Sequence, residues 1–394
     1  MHNSNFLRHL PRTPRLARAF TVPNPLPATF IRGGTSKGIF INRKHLPESQ
    51  SDWGPIFRGI MGSPDPHGRQ LNGMGGGISS LSKICVVGLP EKPAKSVDVE
   101  YTFVQVGIED GILDFSGNCG NLTTAIGVFA LDEKLCRIPS LGMFPGEPNL
   151  NRGKATLNLL NTNTGKRIRT QFAVERETGL PMLTTPEIAI AGVSGKGSRI
   201  LLEFLEPAGA KTGKLLPTGN MRDKVTLEDG NTVEVSCVDA TNPTVFVKAE
   251  SIFSSIDEFR KKDWPQNIFP ILEEIRTKAA VLMGLDPKMQ AQPKICLVAP
   301  PSQEGCDLAA KALSMGKLHK AIPSTVALCV AAAAGVKGSV VQEMAGKIGD
   351  ELVAVNLEIP GGEVGIKARF EGNRVESVAI ERTARRLMRG EVYW

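Results

Sequence analysis

Two residues stand among neighbours that can make them reactive. Cys119 lies in SGNCGNLTTAIGVFAL, residues 116–131, ahead of Leu122, Ala125, Ile126 and Phe129, which repeat with a helical period. Gly117 and Gly120 permit a sharp turn and Asn118 and Asn121 can cap, so the spacing predicts Cys119 at a helix N-terminus. Unpaired N–H groups and the positive end of a helix attract anions and favour a thiolate. A small thiol packed beside a turn is the plain alternative. Lys83, in SSLSKICVV, enters an apolar run. Such a lysine either snorkels at a strand end or is partly desolvated. Desolvation, or a second cation nearby, favours the neutral amine, a base able to take a carbon-bound proton.

Other turns present cations and small polar groups. Arg32 precedes GGTSKG, residues 33–38, where Ser36 and Lys37 offer a hydroxyl and a charge to a carboxylate; taken alone, a surface turn with a solvated lysine is the stronger reading. NGMGGG, Asn72 to Gly77 and including Gly75 and Gly76, can form an amide-lined loop, or be merely flexible. His319 in KLHKAIPST suits a ligand contact or a core or capping role.

Several chemistries are excluded by pattern. GGTSKG and GVSGKGS lack the full phosphate-loop spacing, GMGGGI lacks the last glycine of a dinucleotide fingerprint, and no H-E-x-x-H or G-x-S-x-G occurs. The seven cysteines, at 85, 119, 136, 237, 296, 306 and 329, are scattered, without C-x-x-C or a histidine pair. Neither a metal site nor a disulfide scaffold is expected, and cofactor-free chemistry is favoured. Net charge is +7, yet only 5% of residues are aromatic and no basic tract is interleaved with stacking side chains, so a small anionic ligand fits better than nucleic acid. The longest apolar stretch, VALCVAAAAGV at 326–336, is too short for a bilayer, so no membrane partner is expected.

These residues must be positioned by a chain of 394, long enough for two domains. Short Val/Ile/Phe runs ending in Gly, Asn or Pro turns, with a few helices between, indicate an α+β architecture. ATLNLLN and KRIRTQFAV read as strands after a loop, LGMFPGEPNLNRG, and TTPEIAIAGVSGKGSR, 184–199, reads as a crossover between halves. The halves echo one another. SKICVVGLP at 82–90 returns as PKICLVAPP at 293–301, TSKGIFI at 35–41 as TNPTVFV at 241–247, and NCGN before its helix as IPST, with Ser324 and Thr325, before VALCVAAAA. Duplication would let two helix N-termini face each other across a cleft suited to a polycarboxylate. Ahead of this lies an Arg-bearing leader with no acidic residue before Glu48. It is similar to a mitochondrial transit peptide, which places the protein in the matrix; the alternative is a basic tail on a cytoplasmic protein.

RGGTSKGIFI, NGMGGGISSLSKI, NCGNLTTAIG, DATNPTVFV, HKAIPST and TARRLMRGEVYW, in this order, resemble the PrpF family of 2-methylaconitate cis-trans isomerases and related aconitate and methylitaconate isomerases. The resemblance implies a diaminopimelate-epimerase-like fold: two similar domains, each a curved sheet around a central helix, with the site in the cleft. The expected division is a leader at 1–27, a first domain at 28–190 and a second at 191–394, the extreme C-terminus packing back on the first. It further implies Lys83 as the proton-transferring base and Cys119 beside the substrate, as opposing acid or polar contact. Carboxylate contacts would come from Arg32, Ser36, Lys37, Asn72, Gly75, Gly76, Asn118, Gly120, Asn121, Asn242, His319, Ser324 and Thr325. Asn72 stands where relatives commonly carry aspartate. The implied activity is isomerisation of an unsaturated tricarboxylic acid by allylic proton abstraction, without cofactor or metal. A cofactor-independent racemase or epimerase is the alternative, weakened because no second cysteine stands at the turn matching Cys119; a non-catalytic partner of an aconitase-type hydratase is the other. A homodimer and a functional link to such a hydratase complete the expected partners.

Overall fold

The computed structural model describes residues 22–394 except 92–95, 139, 145–148, 150 and 347–350. Residues 1–21 of the basic leader, and part of the loop at 141–153, therefore lie outside the described residues, while Leu26 and Pro27, expected at the end of the leader, already belong to the first strand.

The first half is built from β1 (Leu26–Gly33), β2 (Ser36–Asn42), β3 (Lys83–Gly88), β4 (Val99–Val106), β5 (Arg152–Asn161) and β6 (Lys166–Glu175). Successive pairs run antiparallel, parallel, antiparallel, parallel and antiparallel. After β7 (Ile200–Leu205), the second half repeats the sequence of senses with β8 (Thr232–Ala240), β9 (Asn242–Lys248), β10 (Lys294–Ala299), β11 (Leu308–Ser314), β12 (Leu352–Ile359) and β13 (Gly362–Glu371). Even the register is repeated. Ile39 opposes Ile84 on β2 and β3, while Val245, 206 positions beyond Ile39, opposes Ile295, 211 beyond Ile84. These offsets are those of the sequence echo, so the duplication is a structural fact.

Strands also join the halves. β7 lies between β6 and β14 (Arg374–Arg382), and β15 (Ala384–Val392) returns to pair with β1. The segment read as a crossover is a small separate hairpin, Ile188–Ile190 with Val193–Gly197.

Each half wraps its sheet around a helix, while α1 (Gly54–Met61) and α4 (Ile268–Leu282) cover outer faces. In the second half the central helix is α5 (Ser324–Ala334), STVALCVAAAA, whose eleven residues are all buried. Alanine favours helix, and a helix apolar and small on every side suits enclosure by strands. In the first half the expected single helix is broken into α2 (Gly120–Thr123) and α3 (Ile126–Asp132). Thr123 Oγ1 donates to the Cys119 carbonyl at 3.0 Å, and the Ala125 N–H turns back to the Leu122 carbonyl. Local threonine bonding of this kind competes with the regular ladder.

Candidate functional site

Cys119 is the N-cap of α2 and Pro323 the N-cap of α5, and the two helix starts meet between the halves. A Cβ on Gly120 would come within 3.0 Å of the Ser324 Cβ and 3.3 Å of the Thr325 nitrogen, so glycine is what permits this approach. Asn121 ties the junction. Its Oδ1 accepts from Ser324 Oγ at 2.6 Å and from the Thr35 N–H at 3.3 Å, and its Nδ2 donates to Thr35 Oγ1 at 3.1 Å. Behind Ser324, Arg382 Nε donates to the same hydroxyl at 3.1 Å. No carboxylate among the described residues pairs with Arg382, which is 4% exposed; burial brings its pKa down to about 10.

Beside this junction opens a small cavity, with about 60 Å³ of room for the centre of a water-sized sphere. Lys83, Cys119 and Asp114 line it from the first half, Lys294, Asn242 and His319 from the second. The Lys83 ammonium donates to Gln105 Oε1 and lies 5.0 Å from the centre of the Phe103 ring. Gln105 is itself held, its Nε2 donating to the carbonyls of Ser79 at 3.2 Å and Ser82 at 3.0 Å. Lys83 is 8% exposed, and burial holds its pKa below the ordinary lysine range, against the opposing pull of the Cys119 and Cys85 thiols and Asp114. The Cys119 thiol, half-buried, sits 4.0 Å from Ser36 Oγ. Asn118 Oδ1 accepts from the Tyr101 hydroxyl at 3.1 Å, leaving Nδ2 as the donor of that amide.

Most of the residues singled out from sequence meet here: Lys83, Cys119, Ser36, Asn118, Gly120, Asn121, Asn242, His319, Ser324 and Thr325 all line the cavity. His319 Nδ1 accepts from the Ala321 N–H at 3.1 Å, which assigns the ring proton to Nε2. Burial first, then the Lys83 charge, lowers its pKa to about 4, so the ring is neutral.

Five residues do not line it. Arg32 donates to the Gly34 and Thr383 carbonyls at 3.0 and 2.7 Å, and Lys37 lies 5.4 Å from the Phe30 ring centre. The pleat explains this. Arg32 opposes Lys37 in the β1–β2 register, so both project from one face, while Ser36, one residue earlier, projects from the other. The two cations line a separate groove with Lys196 and Arg385. Asn72 is exposed, and Gly75 and Gly76 serve packing: a Cβ on Gly75 would come within 2.3 Å of the Gln70 side chain and one on Gly76 within 2.7 Å of Leu81. The loop they form delivers Ser79 and Ser80 to the cavity instead.

The sequence reading missed Lys294. It lines the same cavity from the start of β10, its Nζ 3.4 Å from Ser314 Oγ. Burial and then the Lys83 charge bring its pKa down to about 8. The signal was present, because Lys294 is the lysine of PKICLV, the echo of SKICVV. Phe103, Ala291, Met315 and Pro323 supply apolar wall. Among the described residues the site therefore combines one buried and one half-buried amine, one thiol, helix-terminal amides and a single lining carboxylate, which suits a polyanion that must lose a proton from carbon.

Comparison with known proteins agrees with this geometry. The chain is 34% identical to a 3-methylitaconate isomerase of Eubacterium barkeri, over 93% of this chain and 97% of that one. It is also 34% identical to a 2-methyl-aconitate isomerase of Shewanella oneidensis, over 93% and 96% of the two chains. A crystal structure of methylitaconate-delta-isomerase superposes with a TM-score of 0.71 at 32% identity, covering 94% of this chain and 96% of that one. The family model described as PrpF protein matches residues 24–394, and the chain belongs to the PrpF family.

Proposed function

We propose that this protein isomerises an unsaturated di- or tricarboxylic acid, of the methylitaconate, aconitate or 2-methylaconitate class, by allylic proton transfer that uses only its own side chains. The observation on which this rests is that Lys83 and Cys119, far apart in sequence, line one cavity against a second wall bearing Lys294, Asn242 and His319. The neutral amine of Lys83 takes the allylic proton and becomes an ammonium. The electron pair passes into a dienolate whose former double bond gains single-bond character. Rotation and return of the proton give the other geometric isomer; return at a different carbon moves the double bond. Cys119 is the opposing proton donor or a polar contact to the intermediate. Helix-terminal amides and the surrounding positive charge stabilise the developing anion, where preorganised groups have their largest effect. A two-thiol racemase is disfavoured because Pro323, which has no thiol, occupies the cap position equivalent to Cys119.

Proton NMR of the purified protein with each acid in deuterated water tests the reading, since it follows isomerisation and the position of exchange together. Absence of turnover with all of these acids overturns it. Coupling to an aconitase-type hydratase belongs to the same proposal and predicts a faster combined flux when both proteins are present. Matrix import is tested by fusing residues 1–28 to a fluorescent reporter.

A further inference from the structure

Lys83 and Lys294 are the same residue of a duplicated unit. Each opens the strand that runs parallel to the second strand of its half, and each bonds to the adjacent antiparallel strand, Lys83 to Gln105 and Lys294 to Ser314. A hydrogen-bonded line joins them across the halves. Gln105 donates to the Ser79 carbonyl at 3.2 Å, and the Ser79 hydroxyl lies 3.4 Å from that of Ser314. No salt bridge to a carboxylate is present for either amine among the described residues. Among the described residues Asp114 is the only acidic one lining the cavity, and its Oδ1 already accepts from the Ser116 N–H at 2.7 Å. Two amines sharing a small, partly desolvated space without matched carboxylates are costly to keep unless a ligand anion completes the set. One of them has a use in proton abstraction; the other is surplus to that task.

We propose that Lys294 is the carboxylate anchor of the second half: its ammonium pairs with one carboxylate of the bound acid and holds part of the negative charge that spreads through the dienolate. The inference rests on the isomerase reading for the dienolate, but not for the carboxylate pairing. It also gives Lys294 a second effect. As a cation beside Lys83, it favours the neutral, proton-accepting form of that amine, the arrangement by which one lysine activates another.

The test uses the full chain, its Lys294→Ala, Lys294→Gln and Lys294→Arg variants, and three unreactive probes: tricarballylate, glutarate and methylsuccinate. The last two each lack a different carboxylate of the first. Binding is measured by calorimetry, with circular dichroism as the check on folding; Lys294→Gln serves if Lys294→Ala does not fold. Loss of a charge-assisted pair predicts that tricarballylate binds about 10- to 100-fold more weakly to Lys294→Ala. The dicarboxylate lacking the anchored group is expected to bind as it does to wild type, and Lys294→Arg to recover part of the loss. The acid limb of the pH–rate profile is expected to move to higher pH in Lys294→Ala, because Lys83 loses a like-charged neighbour. Equal weakening of all three probes, or none, overturns the proposal. If wild type binds tricarballylate selectively yet turns over no acid, the isomerase reading fails and the anchor stands.

Discussion

Lys83 and Lys294 begin equivalent strands of a duplicated fold and line the same cavity, Lys83 hydrogen-bonded to Gln105 and Lys294 3.4 Å from Ser314. The chemistry proposed for this protein follows from that convergence, because an amine is a base only when its surroundings keep it neutral.

Lys83→Ala should lower turnover by about 10²- to 10⁴-fold, the usual contribution of a positioned base. Loss of deuterium exchange at the allylic carbon, followed by NMR, is the direct readout. In wild type, kcat/KM should rise with pH through the lowered pKa of Lys83, since the deprotonated amine does the work. Wild-type exchange in the variant would exclude Lys83 as the base.

Cys119→Ser should impair turnover by at least about 10-fold, and Cys136→Ser should leave it nearly unchanged. Cys136 lies outside the cavity, and burial pushes its thiol up to about 11. Iodoacetamide labelling mapped by peptide mass, with and without tricarballylate, should show protection of Cys119.

Asn121→Ala removes bonds to Thr35 and Ser324 together and so loosens the junction of the halves. A destabilisation of about 1–3 kcal/mol is expected in urea unfolding. Activity should fall as well, because Ser324 and Gly120 line the cavity from that junction. A variant as stable as wild type would show that the two helix starts stay together without this side chain.

His319 provides a test in pH. Its folded pKa, about 4, lies below the unfolded value near 6.5. Between these values the unfolded chain binds the extra proton, so this contribution to stability is full above pH 6.5 and is lost as pH falls toward 4. Its size is on the order of 1–3 kcal/mol. The stability difference between wild type and His319→Asn, measured at pH 7 and pH 4.5, should shrink at the lower pH.

Met315 has a positive φ of 53° and, with Ala291 and Pro323, is one of the apolar residues lining the cavity. Met315→Gln should reduce preference for 2-methylaconitate over aconitate by about 10-fold, the usual worth of one methyl in an apolar pocket. Competition between the two acids in one NMR tube measures this ratio, and an unchanged ratio would place the methyl elsewhere.

The sequence by itself determined the duplication, because strand register is preserved wherever one face is buried: the offsets of 206 and 211 read from two short motifs are the offsets of the paired strands. It also determined Cys119 as a helix cap, since the glycines and asparagines around it act locally. What only tertiary structure decided is which side chains converge. Arg32 and Lys37 looked suited to a carboxylate, but the pleat turns them together away from the cavity that Ser36 faces. Lys294 was visible only as an echo of Lys83 until the halves came together. Alternation along a strand says that two neighbours face opposite ways; which way is inward depends on the other half of the molecule.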